Sequence, residues 1–188
     1  MFTDPPVWMM RRTAVISEQD AAHEHQDLPF VPCAFNPRRR EELSKRAIKI
    51  GLSLSPAVID PSAIVARSSQ IGELSYLNAG VVIGGATVVG SNVLINRSTS
   101  AGHHCFLSDG ASLGPGVTLA SNVHVGSSAM IGAGATILPD TKIGDGAVVS
   151  AGALVRKNVP EGAVVAGAPA SIQRKIDAKK VLSRTDQE

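Results

Sequence analysis

The chain is poor in aromatic residues, which make up only 3% of its 188 residues. So few aromatic side chains are unusual for the core of a β-sandwich or of a helical bundle. Glycine, by contrast, occurs 18 times, and 44% of the residues are hydrophobic. This combination suits a narrow interior filled by aliphatic and small side chains, as in a solenoid.

Cysteines, long apolar runs and basic clusters are also scarce. Cys33 and Cys105 are the only thiols, so we expect no disulfide framework and predict a reducing, cytoplasmic location. No apolar run approaches the roughly 18 residues that a membrane span needs. The net charge is +2 and no basic patch is interleaved with aromatic residues, which argues against a nucleic-acid partner.

An internal period of six residues runs from Ile59 to Val155 without an insertion. Of the seventeen residues at this spacing, sixteen are Val, Ile or Leu, and Ala101 is the exception. Helices repeat near every 3.6 residues and half-buried strands every 2, so neither explains the pattern. Three short strands per triangular coil do explain it, with residues 18 apart stacked in adjacent coils. The sequence predicts an all-β solenoid, a parallel β-helix of nearly six coils.

The segments on either side of the repeat have other patterns. Residues 1–54 are predicted to form a small α/β segment with a strand at Phe30–Phe35 and a basic helix at Arg38–Ile50. Residues 55–166 form the β-helix domain. Residues 167–188 begin with a Gly-Ala-Pro stop, and Ser171–Ser183 is predicted to be a helix that caps the last coil.

The break in the aliphatic column at Ala101 is followed at once by Gly102-His103-His104-Cys105. His103 occupies a turn position, so its ring should point outward, and a neutral imidazole can accept a proton from an attacking amine or hydroxyl. We expect His104 to point in a different direction. Ser121 lies 18 residues further on, one coil above His103, where its backbone N–H could stabilise an oxyanion.

Two other interpretations of the histidines stay open at this point. Both could be polar turn residues without a function. Alternatively, histidines at a subunit interface could bind zinc, but that needs three convergent imidazoles, and His103 and His104 are expected to diverge. We therefore expect no metal. His124 in the repeat, and His23 and His25 before it, are predicted to be solvated.

An ordered set of motifs runs through the repeat: Asn96, His103-His104-Cys105, Ile131-Gly132-Ala133-Gly134-Ala135 and Gly167-Ala168-Pro169-Ala170. The set resembles the sialic acid O-acetyltransferase and bacterial nucleotide-amino-sugar N-acetyltransferase family of hexapeptide-repeat acyltransferases. This resemblance implies a left-handed β-helix, a homotrimer with active sites between subunits, and acetyl-CoA as cosubstrate in the intersubunit groove. It also implies that residues 1–54 are a truncated remnant of a Rossmann-like domain.

The resemblance assigns roles to individual residues. His103 matches the general base, Asn96 matches a position that contacts the acceptor sugar, with His104 beside the acceptor, and the N–H of Ser121 matches the oxyanion donor. The positions that match coenzyme A contacts are Ser112, Ser121, Ala133, Ala151 and Lys157. Relatives usually carry an acidic residue next to the base, whereas here its neighbours are Gly102 and His104, so the sequence identifies no group that orients His103.

The predicted function is acetyl-CoA-dependent acetylation of the amine of an amino sugar, nucleotide-linked, in the synthesis of a surface glycan or polysaccharide. O-acetylation of a sugar hydroxyl remains an alternative, because the same base and oxyanion donor serve either nucleophile. A non-catalytic β-helical scaffold is the third possibility.

Overall fold

The computed structural model describes residues 29–175. Within them a short α/β segment precedes a parallel β-helix, as the period of six predicts. No helix among these residues is long and apolar enough to span a bilayer. The predictions for His23 and His25 lie outside the described residues.

The N-terminal segment is a single strand–helix–strand unit. Strand β1 (Pro29–Phe30) pairs in parallel with β2 (Ser53–Leu54), and helix α1 (Pro37–Lys49) connects them. The side chain of Asn36 caps the helix by accepting hydrogen bonds from the backbone N–H groups of Arg38 and Arg39. The helix therefore begins and ends one residue before the predicted bounds.

The predicted strand at Phe30–Phe35 is wrong beyond Phe30. Residues 31–36 have no regular structure, and Pro32 lacks the N–H that a strand ladder needs. The chain turns here so that the carbonyl oxygens of Ala34 and Phe35 accept hydrogen bonds from Arg40. These carbonyls are thus satisfied by a side chain and not by a neighbouring strand.

The β-helix is built from two-residue strands at intervals of six residues. They are β3 (Val58–Ile59), β4 (Ile64–Val65), β5 (Gln70–Ile71), β6 (Tyr76–Leu77), β7 (Val82–Ile83), β8 (Val88–Val89), β9 (Leu94–Ile95), β10 (Ser100–Ala101), β11 (Phe106–Leu107), β12 (Ser112–Leu113), β13 (Thr118–Leu119), β14 (His124–Val125), β15 (Met130–Ile131), β16 (Thr136–Ile137), β17 (Lys142–Ile143), β18 (Val148–Val149) and β19 (Leu154–Val155). Strands β20 (Ala163–Gly167) and β21 (Ala170–Lys175) follow.

Three sheets run along the axis of the β-helix. The first has six strands, β4 to β19; the second has five, β5 to β17; the third has eight and includes β3, β20 and β21. Parallel partners lie 18 residues apart, as in Ser100 opposite Thr118. The predicted inner column is fully buried from Leu77 to Val155, and a second column two residues earlier in each hexad is buried beside it. Only at the open first coil is the column exposed, with Ile59 at 41%.

The last coil is shorter than the others. Val165 pairs with Val149 and Val159 with Ile143, so the offset falls from 18 residues to 16. The chain then reverses at Gly167, whose φ is +99°, and β21 pairs antiparallel with β20.

The predicted C-terminal helix is therefore wrong over Ser171–Lys175, which lies in β21. A strand supplies the backbone donors and acceptors that the free edge of β20 requires, which a helix lying on the coil would not. Residues 176–188 lie outside the described residues.

Helix α1 is held against the third sheet mainly through polar side chains. Its buried residues are Pro37, Arg40 and Ser44, which share one face. Arg40 is only 1% exposed and reaches the turn at the start of β12, where it donates to the carbonyl oxygens of Gly110 and Ala111. The helix thereby covers the outer surface of β9 and β12.

Candidate active site

Apart from Ser112, which lies in β12, the predicted site residues divide between two corners of the triangular coil. We call the turns that follow the strands of the six-stranded sheet the histidine corner; it carries His103, Ser121 and Lys157 in one column. The turns that follow the eight-stranded sheet form the asparagine corner, which carries Asn96, Ala133 and Ala151. One full face of the coil separates the two corners within a chain.

Both ring nitrogens of His103 have a side-chain partner. Nε2 lies 2.9 Å from the hydroxyl oxygen of Ser121, one coil above. Nδ1 lies 2.9 Å from Nδ1 of His104, whose ring stands at 90° to that of His103. His103 and His104 are both exposed. The three side chains therefore form a continuous hydrogen-bonded array at the protein surface.

This geometry corrects the expectation that His103 and His104 diverge. Every sixth residue from Leu74 to Gly152 has a left-handed backbone, and His104, with a φ of +58°, is one of them. That conformation turns the chain sharply enough for the His104 ring to fold back against its neighbour. The partner that the sequence could not identify for His103 is thus His104 on one nitrogen and Ser121 on the other.

The two Nδ1 atoms can share only one hydrogen in the neutral pair. When His103 donates from Nδ1 to His104, its Nε2 carries a lone pair and accepts the hydroxyl hydrogen of Ser121. This is the tautomer of a general base. After His103 takes up a proton, its Nδ1–H still donates to His104, so the ring keeps the same orientation through the proton transfer.

Glycines below the array set its position. A Cβ atom on Gly84 would lie 2.7 Å from the backbone nitrogen of His103, and one on Gly102 would lie 2.9 Å from that of Ser121. Such contacts are too close for any other residue, so the glycines let successive coils approach in this corner. The backbone hydrogen bonds between successive coils continue through the turn, where Asn122 N–H donates to the carbonyl oxygen of His103.

The backbone N–H of Ser121 has no hydrogen-bond acceptor among residues 29–175. At another corner, the equivalent N–H groups of Ser91 and Ser127 donate to the carboxylates of Asp109 and Asp145. A free, outward N–H beside an imidazole is what an oxyanion site requires. The predicted role of Ser121 as oxyanion donor therefore fits this geometry.

Ser112 is not available to a ligand, contrary to its prediction as a coenzyme contact. It is 0% exposed, and its hydroxyl oxygen accepts a 2.8 Å hydrogen bond from Arg40. The reason is that α1 packs over β12 and covers the side chain. Arg40 itself was missed, because a run of three arginines at the start of a helix resembles a solvated face.

The other predicted contacts remain accessible. Ala133, Ala151 and Lys157 are exposed and Asn96 is half-buried. The side-chain oxygen of Asn96 accepts from Arg97 N–H and from Asn78, one coil below. The hydroxyl of Ser121 is a further group that sequence reasoning missed, since only its N–H was considered, although the 18-residue stacking brings both to His103.

The remaining histidine and thiol do not join the array. His124 is exposed and its ring lies 6.0 Å from that of Phe106. Cys105 points inward and is 2% exposed, and burial raises the pKa of its thiol. No group of three or more His, Cys, Asp or Glu side chains in residues 29–175 could hold a metal ion.

Comparison with known proteins identifies the family. Residues 122–157 match the model of the bacterial transferase hexapeptide (six repeats). A structure of a variant of perosamine N-acetyltransferase from Caulobacter crescentus with CoA and GDP-perosamine is 32% identical, with a TM-score of 0.72, over 76% of this chain and 67% of that one. The chain belongs to the hexapeptide-repeat sugar acetyltransferases. It is thus an acetyltransferase with the left-handed parallel β-helix of this family, as the sequence predicts.

Two further solved structures are similar. The acetyltransferase domain of PglB from Neisseria gonorrhoeae, in complex with acetyl coenzyme A, is 31% identical over 74% of this chain and 67% of that one, with a TM-score of 0.70. WeeI from Acinetobacter baumannii is 30% identical over 74% of this chain and 68% of that one, with a TM-score of 0.67. None of the curated protein sequences matches this chain.

Proposed function

We propose that this acetyltransferase transfers the acetyl group of acetyl-CoA to the amine of a nucleotide-linked amino sugar. The observation that carries the proposal is the array at the histidine corner, in which the Nε2 atom of His103 is oriented as a base. The similar structures with bound CoA, acetyl coenzyme A and GDP-perosamine support this choice of substrates. Synthesis of a surface glycan is the setting that such substrates suggest.

In this mechanism His103 accepts the proton that the acceptor amine loses when the acetyl group is transferred. The N–H of Ser121 donates to the oxygen of the tetrahedral intermediate, where negative charge develops. Coenzyme A then leaves as the thiol, protonated from His103. His104, predicted from the resemblance to lie beside the acceptor, acts in this mechanism by positioning His103 through Nδ1.

We also propose a homotrimer in which each active site lies between two subunits. Within one chain the histidine corner and the asparagine corner lie on opposite edges of a sheet face. A second chain packed against that face would bring its own Ala133 and Ala151 towards His103, with Asn96 and Lys157 at the ends of the groove. Light scattering of the purified protein tests this, and a monomer with full activity would contradict it.

The compartment follows from the cofactor and the thiols. Both cysteines are free, with Cys33 exposed and Cys105 buried. Unpaired thiols are typical of reducing compartments. We infer a cytoplasmic location, which fractionation of the native cells would test.

The function is tested by measuring thiol release from acetyl-CoA with a panel of nucleotide-linked amino sugars. We expect turnover with at least one of them, and a loss of about 10² to 10⁴-fold in kcat for His103→Ala. His124→Ala is the matched control, because His124 is an exposed histidine outside the array, and should retain full activity.

Treatment of the product with hydroxylamine separates an amide from an ester. A stable product means N-acetylation, whereas a cleaved product means that a sugar hydroxyl was the acceptor. Full turnover by the His103→Ala variant, or bound acetyl-CoA without turnover on any sugar, would contradict the proposal.

A further inference from the structure

The column of the histidine corner that holds His103 continues towards the first coil and ends there in a cation. Residues 18 apart stack in this column, so Gly85 lies one coil below His103 and Arg67 lies two coils below it. Backbone hydrogen bonds join these successive turns. Two steps of the ladder place the Cα atom of Arg67 about 10 Å from that of His103.

The side chain of Arg67 is available to a ligand. Arg67 is exposed, and its guanidinium forms no hydrogen bond or ion pair within the part of the chain that the structure describes. Gly85 carries no side chain that would separate the guanidinium from the imidazole. A Cβ atom added at Gly85 would contact only the Ser68 hydroxyl, so the surface between Arg67 and His103 is open and would stay open with a methyl group there.

Charge is unevenly distributed among the three corners of the coil. The turns that follow the five-stranded sheet contain no Lys or Arg, and their carboxylates are those of Glu73, Asp109 and Asp145. The histidine corner has Arg67 at one end and Arg156 and Lys157 at the other. Its one carboxylate, that of Asp140, accepts a hydrogen bond from the side chain of Asn122. The histidine corner therefore attracts anionic ligands, and the acidic corner repels them.

The cations at the two ends of the column lie at different distances from the base. Arg67 lies two coils, or about 10 Å, below His103, whereas Lys157 lies three coils, or about 14 Å, above it. Both proposed substrates carry phosphate groups. The long pantetheine arm separates the phosphates of coenzyme A from its thioester, whereas only the sugar ring separates the amine of a nucleotide-linked sugar from its nearest phosphate. The nearer cation therefore matches the sugar nucleotide, and the farther one matches coenzyme A.

We propose that Arg67 binds the diphosphate of the nucleotide-linked sugar and so holds the amine of that sugar against His103. This inference deepens the proposed function and rests on it. The planar guanidinium donates two hydrogen bonds to one phosphate group, which gives the contact both strength and direction. Arg67 thus determines specificity, because it selects a nucleotide-linked sugar over the free sugar. Acetyl-CoA extends the opposite way, towards Lys157, so both substrates bind together and the acetyl group passes directly between them.

The test compares one acceptor with and without its diphosphate. The nucleotide-linked amino sugar and the same amino sugar without the nucleotide are assayed at saturating acetyl-CoA, with the wild-type enzyme and with Arg67→Gln. Loss of the charged hydrogen bonds should lower kcat/KM for the linked sugar about 10- to 100-fold, mainly through KM. The kcat/KM for the free sugar and the KM for acetyl-CoA should not change. Binding of UDP and GDP, measured by calorimetry, should weaken by a similar factor.

Two further variants control for charge and for folding. Lys142→Gln removes the same charge from an exposed side chain on the five-stranded sheet, and should behave as wild type in every assay. Arg67→Lys keeps the charge but not the planar pair of donors, so its kcat/KM for the linked sugar should lie between those of wild type and Arg67→Gln. The melting temperatures of both Arg67 variants should match the wild type, because the Arg67 side chain has no partner among the described residues.

The two proposals fail in different ways. If Arg67→Gln acetylates the linked sugar as well as the wild type does, the inference is overturned while the proposed function stands. Equal losses with the linked and the free sugar, or dissociation of an oligomer in light scattering, also overturn it, because Arg67 would then support the structure and not the diphosphate. If no amino sugar is acetylated, the proposed function fails and calorimetry decides the inference: weaker binding of UDP and GDP to Arg67→Gln supports it, and equal or absent binding overturns it.

Discussion

Replacement of Arg40 by alanine should destabilise the protein far more than the same change at the neighbouring Arg39. Arg40 is 1% exposed, and its guanidinium donates to Asn92, Ala34, Phe35, Gly110 and Ala111 carbonyls and to the Ser112 hydroxyl. Burial lowers its pKa to about 10, so the group stays charged at neutral pH.

The expected loss follows from what the substitution leaves behind. Ala111 O keeps a second partner in Leu94 N–H, but the Ser112 hydroxyl and several of the carbonyls lose the donor that Arg40 provides. Each buried acceptor without a partner costs about 1–3 kcal/mol, and water will satisfy those near the surface. We expect a loss of about 3–5 kcal/mol, similar to breaking a buried ion pair from one side.

Arg39 provides the matched control. It lies on the same helix, its side chain is 62% exposed, and it forms a 3.6 Å ion pair with Glu42. Exposed pairs of this kind contribute about 0–1 kcal/mol. A third variant, Arg40→Met, fills most of the space without donating hydrogen bonds, and should be nearly as unstable as Arg40→Ala.

The free energies of unfolding would be measured in urea at one fixed protein concentration, because oligomers gain stability with concentration. Hydrogen exchange of α1 amides would show whether the helix detaches before the β-helix unfolds. Equal losses for Arg39→Ala and Arg40→Ala, or full recovery by Arg40→Met, would refute the argument from hydrogen bonds.

Three further predictions concern the β-helix. Ile131→Asp places a carboxylate in the aliphatic column, where Ile131 is 0% exposed. It should lower the free energy of unfolding, measured in urea, by at least about 4 kcal/mol. Lys142→Asp, at an exposed position, should lower it little. Gly102→Ala should lower kcat at least about ten-fold by displacing Ser121. Gly85→Ala is the control and should keep its activity, because the added Cβ would contact only the Ser68 hydroxyl. Equal kcat values for the two variants would contradict this prediction. A thiol reagent should label exposed Cys33 alone in the folded state and Cys105 only in urea, because the side chain of Cys105 is 2% exposed and the reagent cannot reach it.

The repeat was predictable because its signal is local and redundant. Each hexad places an aliphatic residue inward, so the strand positions and the buried column follow from counting alone. The stacking of His103 on Ser121 follows from the same count. The C-terminal strand could not be predicted by counting. Polar residues such as those of Ser171–Lys175 suit a helix as well as an edge strand, and they form a strand because the free edge of β20 pairs with them.

The side-chain contacts within the site needed the structure. The period of six predicts which residues share a corner, but it does not predict which side chains touch there. The left-handed backbone at His104 is what brings its ring against His103. The burial of Ser112 depends on Arg40, 72 residues away. Its helix buries a polar face, with Pro37, Arg40 and Ser44, so hydrophobic periodicity gives no sign of the contact.

A β-helix makes polar pairs easily, because residues 18 apart are held about 4.8 Å apart by the backbone ladder. Asn78 with Asn96 and Asn122 with Asp140 are pairs of this kind, at 3.3 Å and 2.6 Å. A pair alone is therefore weak grounds for catalysis.

The pair of His103 with Ser121 differs from these two pairs in two respects. A third group orients the imidazole, and the N–H beside the hydroxyl is free among the described residues. Because the ladder fixes both turns, these groups are already in position before a ligand arrives, so little reorganisation is required when charge develops. The corner is also open, and no loop inserted in the hexads can close over it. Apart from the phosphate contact proposed for Arg67, selectivity for the acceptor must then come from surfaces outside this corner, either a second subunit or the segment anchored by Arg40.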